Sequence, residues 1–296
     1  MPAMIGSSIG ILTSSMSSYF VKRVSTGMFR ALQGADIEIK VMEMQGKTDP
    51  EFYDFIENAL AKEKFAGLVY GHVRLSANQL GRLRSKAIPV VSVASRMEGI
   101  DWVAVDEAKG ALLATRYLLE KGHRRIGLIS GPVQAVESRL REDGFNQALE
   151  EYGIRHGREL EVSLLNFSKE EGRKAANLLL DTAQPPTAIF CAAGDLAAMG
   201  VLAALQERRL AVPAYISVLG FDNLEFTQFV QPKLTTVNQP LEDMGYWAVK
   251  RLFSQIKNPY STPSVNHVME PELVLRGSVS GPRSATADTE AIVPGA

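Results

Sequence analysis

Cysteine is nearly absent from this 296-residue sequence. Its single thiol, Cys191, rules out an intrachain disulfide. The four histidines lie far apart, and no His/Cys group has zinc spacing. Neither sign of charge dominates: 32 Lys and Arg stand against 33 Asp and Glu. A broad basic surface for nucleic acid is therefore not expected. No stretch approaches the roughly 18 apolar residues of a membrane span. The first residues, MPAMIGSSIGIL, lack the basic start and long apolar run of a secretory signal. A reducing, cytoplasmic setting and no membrane partner are expected. No G-x-G-x-x-G follows a strand, and no phosphate loop ends in G-K-[ST]. Gly6-Ser7-Ser8-Ile9-Gly10 matches the nucleophile-elbow pattern only formally, because Ser8 enters a strand where the elbow needs a strand-to-helix turn. Without paired acid/base, metal or nucleophile groups, no enzyme activity, catalytic residue, metal ligand or cofactor is assigned.

What is present is the mix of a globular protein, 46% apolar and 22% charged, in a length that suits two lobes. Short β-branched runs alternate with longer helical patterns. SIGIL (Ser8 to Leu12) is a compact strand, and a helix follows from about Tyr19, with Val21, Val24, Met28 and Ala31 at helical spacing. IEIKV is the next strand, and Asp49-Pro50 opens a helix with Asp as N-cap. GLVY, PVVSV and WVAV continue the first series, with a helix near Ala77 to Ser85 and another at Glu107 to Lys121. RIGLI begins a second series, with helices near Ser138 to Tyr152, Lys169 to Leu180 and after Asp195. Its further strands are Glu161 to Leu165, AIFC and ISVLG. Strands alternating with helices give an α/β fold with parallel sheets, and the number of units asks for two doubly wound lobes. In such sheets ligands lie outside the carboxyl ends of the strands.

The loops at those ends carry the candidate residues. Thr13 to Ser18 is rich in hydroxyls, including Ser14 and Ser15, and its helix N-terminus suits ligand oxygens. Tyr19 and Phe20 either offer flat faces to a ligand or pack into the core. In Ser138-Arg139-Leu140-Arg141, one arginine can make a two-pronged contact with hydroxyls or a carboxylate, while a surface position is the alternative for either. Asp195, at the handover from AIFC to a helix, reads first as an N-cap. Asp222 ends a strand, as a hydrogen-bond acceptor for a ligand or as a turn former. The last residues, 281–296, have little aromatic or periodic content and are expected to be disordered.

Taken together, SIGILTSS, IPVVSV, VAVDEAKGA, LLEKGHRRIGLISGP, Arg141-x-x-Gly144-Phe145, PTAIF, GDLAAMGV, ISVLGFDN, PKLTTVNQP and ELVLRGS resemble the LacI/GalR family of bacterial transcription regulators, in the family's order from about Ser8 to Ser278. The resemblance implies a periplasmic-binding-protein-like fold: two Rossmann-like lobes joined by three crossings, near Leu119, Gln239 and His267, with an effector between the lobes. Residues 1–119 and 240–267 would form the first lobe, and 120–239 and 268–280 the second. By motif position Arg141 corresponds to the family's ligand-gripping arginine and Asp222 to its ligand carboxylate. Phe167 stands at an aromatic stacking position, and Tyr19 with Phe20 match a pair found in the purine-sensing branch. Ser14, Ser15 and Asp195 complete the expected ligand set. The chain departs from the pattern at Gly194, where sugar sensors often carry Asn, and at Ala94-Ser95-Arg96, where Asp or Asn is common.

The function so implied is a sensing core that binds a small polar effector, a sugar or sugar derivative ahead of a nucleoside or purine. A homodimer is expected, reaching operator DNA only through a helix-turn-helix header that this chain does not include. The alternative is an extracytoplasmic sugar-binding protein of a transporter. Arg141→Ala is expected to abolish most effector binding and leave the melting temperature of the ligand-free protein near wild type.

Overall fold

The computed structural model describes residues 8–13, 19–44, 48–62, 65–71, 76–85, 88–97, 99–258 and 265–283. The chain divides into two compact units, Met1–Val105 with Pro240–Met269, and Asp106–Gln239 with Glu270–Ala296.

The first unit contains strands β1 (Ser8–Thr13), β2 (Glu38–Glu43), β3 (Phe65–Tyr70), β4 (Val90–Val93) and β5 (Asp101–Val105). Its helices are α1 (Tyr19–Ala31), α2 (Asp49–Lys62) and α3 (Ala77–Ser85). The second unit continues with α4 (Glu107–Glu120), β6 (Ile126–Ser130), α5 (Val136–Glu151), β7 (Glu161–Ser163), α6 (Lys169–Leu180), β8 (Ala188–Cys191), α7 (Asp195–Glu207), β9 (Ser217–Asp222) and β10 (Thr235–Asn238). The chain then returns to the first unit for α8 (Leu241–Lys257) and β11 (Asn266–Met269), and ends in the second with β12 (Glu272–Val274).

In the first sheet the order is β2-β1-β3-β4-β5-β11, with every pairing parallel. The second repeats it as β7-β6-β8-β9-β10-β12, parallel except for β12 against β10. Each sheet is doubly wound and buries both faces, which is why its strands read as unbroken apolar runs. In β8, Ile189 and Cys191 enter one core and Ala188 and Phe190 the other, the two-residue period of a strand.

Three details differ from the sequence reading. The first passage between units falls between Val105 and Asp106, ahead of α4, rather than near Leu119. Alternation of elements cannot say which sheet a crossover helix covers; α4 covers the second. Helix α2 is capped by Thr48 rather than Asp49: the Thr48 N–H and hydroxyl both donate to the Glu51 carboxylate, at 2.7 and 2.9 Å. At the C-terminus, residues 284–296 lie outside the described set. Gly281 to Arg283 are ordered, with the Arg283 guanidinium 3.7 Å above the Tyr215 ring.

One contact positions the functional edge. A Cβ built on Gly144 would lie 2.0 Å from the Ala108 carbonyl oxygen. Only glycine lets the backbones of α4 and α5 approach so closely, and this brings Arg141 of α5 to the first turn of α4.

Candidate functional site

In an open α/β sheet the natural ligand position is the carboxyl edge where strand order reverses. In the second unit that reversal falls between β6 and β8. The loops after β6 and β8, the end of β9 and the starts of α4, α5 and α7 meet there.

Arg141 is the centre of this edge and is buried. Its Nε donates to Glu107 Oε2 at 2.7 Å and its Nη1 to the Ala192 carbonyl, also at 2.7 Å. The guanidinium carbon lies 3.7 Å from the centre of the Phe221 ring. Nη2 stands 3.7 Å from Asp222 Oδ1, beyond hydrogen-bond reach. Burial opposes the Arg141 charge, yet Glu107 and Asp222 together hold its pKa above the ordinary arginine value. Arg139, two residues earlier on the helix, is exposed. The geometry thus separates the two arginines as the motif position does.

Glu107 was not among the residues singled out from sequence. It opens α4 behind the N-cap Asp106 and is 3% exposed. Burial pushes its carboxyl above the ordinary range, against the pull of Arg141.

Asp222 ends β9 with φ at +107°, and Asn223 follows at +53°. This is strained backbone for residues with a side chain, of the kind that clusters at ligand sites. The Asp222 carboxylate is a quarter exposed and accepts from Gln239 Nε2 at 2.6 Å. Burial pushes its pKa up, while Arg141 and Gln239 oppose the shift. Gln239, the last residue before the chain leaves the second unit, keeps its own Oε1 buried without a hydrogen-bond partner.

Asp195 departs from its sequence reading. Gly194 is the N-cap of α7, and Asp195 is the first helical residue, fully buried. Its Oδ1 accepts from Thr236 Oγ1 at 2.6 Å and its Oδ2 from the Leu224 N–H at 2.8 Å. Burial, reinforced by Asp222, holds its carboxyl well above the ordinary range. With both oxygens committed to protein donors, Asp195 braces the turn after Asp222. Gly194 has φ +109°, and a Cβ there would sit 2.4 Å from Asp222 Oδ2. The Asn contact frequent in sugar sensors is absent here, and a side chain at this position would push against the Asp222 carboxylate.

Phe167 is half exposed and precedes Ser168, the N-cap of α6, whose hydroxyl accepts from Glu171 N–H. A Cβ on Gly131, just after β6, would lie 2.3 Å from Phe167 Cε1 and 2.5 Å from Ser138 Oγ. The ring edge and that hydroxyl therefore meet over the Gly131 backbone. Ser138 is buried on α5 three residues before Arg141, and its Oγ has no partner. The second unit thus brings together Arg141, Asp222, Phe167, Glu107, Gln239 and Ser138.

On the first unit, Ser14 and Ser15 lie outside the described residues. Tyr19 opens α1 part-buried, with the Lys22 ammonium 5.8 Å from its ring centre. Phe20 is 2% exposed and belongs to the apolar core with Val24 and Met28. Its ring would touch any Cβ placed on Gly71. Phe20 therefore packs the core, the second of the two alternatives that the sequence offered for it.

Among the described residues, no group of His, Cys, Asp and Glu is arranged to hold a metal ion. No described helix is long and apolar enough to cross a membrane.

Comparison with known proteins agrees with this architecture. A family model described as a periplasmic binding protein-like domain matches residues 115–279. The HTH-type transcriptional repressor CytR of Escherichia coli K12 is 39% identical over 176 residues, 60% of this chain and 51% of that protein. The chain spans about half the length of the curated relatives it matches. The crystal structure of a LacI family transcriptional regulator from Enterococcus faecium with bound ribose superposes with a TM-score of 0.80 at 25% identity, covering 94% of this chain and 100% of that one. The transcriptional regulator CelR in complex with cellobiose gives 0.82 at 26% identity, covering 94% and 86%. From its sheet order, its motifs and these relatives, the chain belongs to the LacI/GalR family and has the periplasmic-binding-protein-like fold of that family's ligand-binding core.

Proposed function

We propose that this chain is the effector-sensing core of a LacI-type transcription regulator, and that the second unit grips a small polar effector with Arg141 and Asp222. The observation that carries the reading is the pair itself. A buried, fixed guanidinium keeps one nitrogen 3.7 Å from a part-exposed carboxylate, at the switch point of a doubly wound sheet. A ligand hydroxyl can accept from Arg141 Nη2 and donate to Asp222 at once. Phe167 adds an apolar face beside them, and Ser14, Ser15 and Tyr19 stay candidates from the family resemblance. The bound ribose and cellobiose of the two related structures favour a sugar or sugar derivative. In the whole protein, kinship with repressors supports action in the cytoplasm on operator DNA, through a helix-turn-helix header and as a homodimer.

The test is a thermal-shift screen of sugars, sugar phosphates, nucleosides and purines, followed by calorimetry on each hit. A ligand that binds only the folded state raises the transition. Asp222→Asn then removes the charge, while asparagine tolerates the positive φ. Losing a charged hydrogen bond of about 1.5–3 kcal/mol weakens binding roughly 10- to 150-fold. Unchanged affinity in that variant removes Asp222 from the site.

A further inference from the structure

The bonding capacity left over at this edge narrows the effector further, given the ligand-binding reading above. Arg141 is the natural anchor for a phosphate or carboxylate, but its charge is already matched. Glu107 lies against it at 2.7 Å with both groups buried, and Asp222 stands beyond its free nitrogen. Glu137, one turn earlier on α5, adds a further negative charge that acts on Arg141.

The helix ends give the same answer. A helix N-terminus attracts anions through its free N–H groups and dipole. Each helix that starts at this edge already holds one of the protein's own carboxylates in its first turn: Glu107 in α4, Glu137 in α5, Glu170 and Glu171 in α6, and Asp195 in α7.

The unpartnered atoms set the requirement from the other side. Gln239 Oε1 is buried and can only accept. Asp222 accepts as well. Ser138 Oγ, also buried and unpartnered, can donate or accept. Two neighbouring ligand hydroxyls can give one proton to each of the first two and still accept from Arg141. An ionised phosphate or carboxylate brings acceptors only, and would face Asp222 and Gln239 Oε1 without a proton to offer.

We infer that the site takes an uncharged polyhydroxyl ligand and rejects its phosphorylated or carboxylate counterpart. Calorimetry on the wild-type chain with matched pairs, D-ribose against ribose 5-phosphate and D-glucose against glucose 6-phosphate, tests this directly. The neutral member of any pair that binds should be favoured by about tenfold or more, since a like charge beside Glu107 and Asp222 is repelled. Glu107→Gln should narrow that preference about tenfold by freeing the Arg141 charge, provided its melting curve remains cooperative. The wild-type comparison stands whether or not the variant folds. If a phosphorylated sugar binds as well as its neutral partner and Arg141→Lys weakens it, the charge inference is overturned and the site reading survives. If no sugar of either kind binds, and Asp222→Asn leaves binding of every hit from the wider screen unchanged, both are overturned.

Discussion

Replacing Arg141 by alanine reaches the core of how this edge is built. The substitution leaves Glu107, 3% exposed, without the guanidinium that neutralises it. It also removes the hydrogen bond to the Ala192 carbonyl and the contact with the Phe221 ring. Breaking a buried ion pair by deleting one partner costs about 3–5 kcal/mol. For a domain of about 150–250 residues each kcal/mol lowers the melting temperature by roughly 2–4 °C, so a fall of roughly 6–20 °C is expected. The burial of both partners replaces the expectation from sequence, a melting temperature near wild type. The loss also has a pH signature. Burial already raises the Glu107 carboxyl pKa, and removing Arg141 raises it further. A group whose folded pKa is raised contributes stability that is full below its unfolded pKa and lost as pH rises through the folded value. The variant should therefore be closest to wild type near pH 5 and furthest from it near pH 8. Thermal melts at neutral pH and urea unfolding at both pH values, each followed by circular dichroism, measure this. A drop under about 2 °C at neutral pH, or a destabilisation independent of pH, refutes the claim that Arg141 and Glu107 form a locked buried pair.

Gly144→Ala should destabilise by about 1–3 kcal/mol, because its methyl meets the Ala108 carbonyl and forces α4 from α5; effector affinity should fall with it, and a neutral result in calorimetry would remove the close approach from the site's construction. His123 is buried, with Nε2 2.9 Å from the Ser280 carbonyl and Nδ1 2.8 Å from Thr187 Oγ1. A carbonyl only accepts, so Nε2 holds the proton and Nδ1 accepts from Thr187. Burial lowers this histidine's pKa, against the Ser280 bond, so its stabilising contribution is present above about pH 6.5 and lost as pH falls through the folded value. The stability gap between wild type and His123→Gln in urea should shrink on going from about pH 7.5 to about pH 5.5, and a gap that widens in acid would contradict the neutral tautomer.

Much of the fold was legible because each sheet is covered on both faces. VVSV and AIFC are wholly apolar or small, and the structure buries every residue of both. Helix α8 carries a signal that the sequence reading left unused: Leu241, Met244, Ala248, Val249 and Leu252 recur at helical spacing and all are buried. Boundaries were less legible where a local pattern had two good solutions. Asp49-Pro50 suits a helix start, but one residue earlier Thr48 donates through both its N–H and its hydroxyl to the Glu51 carboxylate. The strand expected over Glu161 to Leu165 ends at Ser163, and Leu165 is 83% exposed. At a sheet edge, an apolar residue no longer implies a buried strand.

The site was legible where a side chain shares a face with the core. Arg141 lies three residues before Gly144 and four before Phe145, which is fully buried, so the motif itself turns Arg141 inward. Phe20 obeys the same rule in the opposite sense, since Val24 and Met28 at helical spacing draw it into the core. Glu107 escaped because an acidic residue in a first helical turn already has a sufficient local reason to be there, the helix dipole. Nothing in its neighbourhood asks for a partner 34 residues away. Yet once Arg141 is placed inside, a charge rule applies that no periodicity encodes: a buried guanidinium requires a buried carboxylate. The acidic residues at the strand-to-helix turns of the second unit, Glu107, Asp195 and Asp222, are then the natural candidates. The structure divides them by role. Glu107 neutralises Arg141, Asp195 braces the turn, and Asp222, the most exposed of the three, is the one proposed above to meet the ligand.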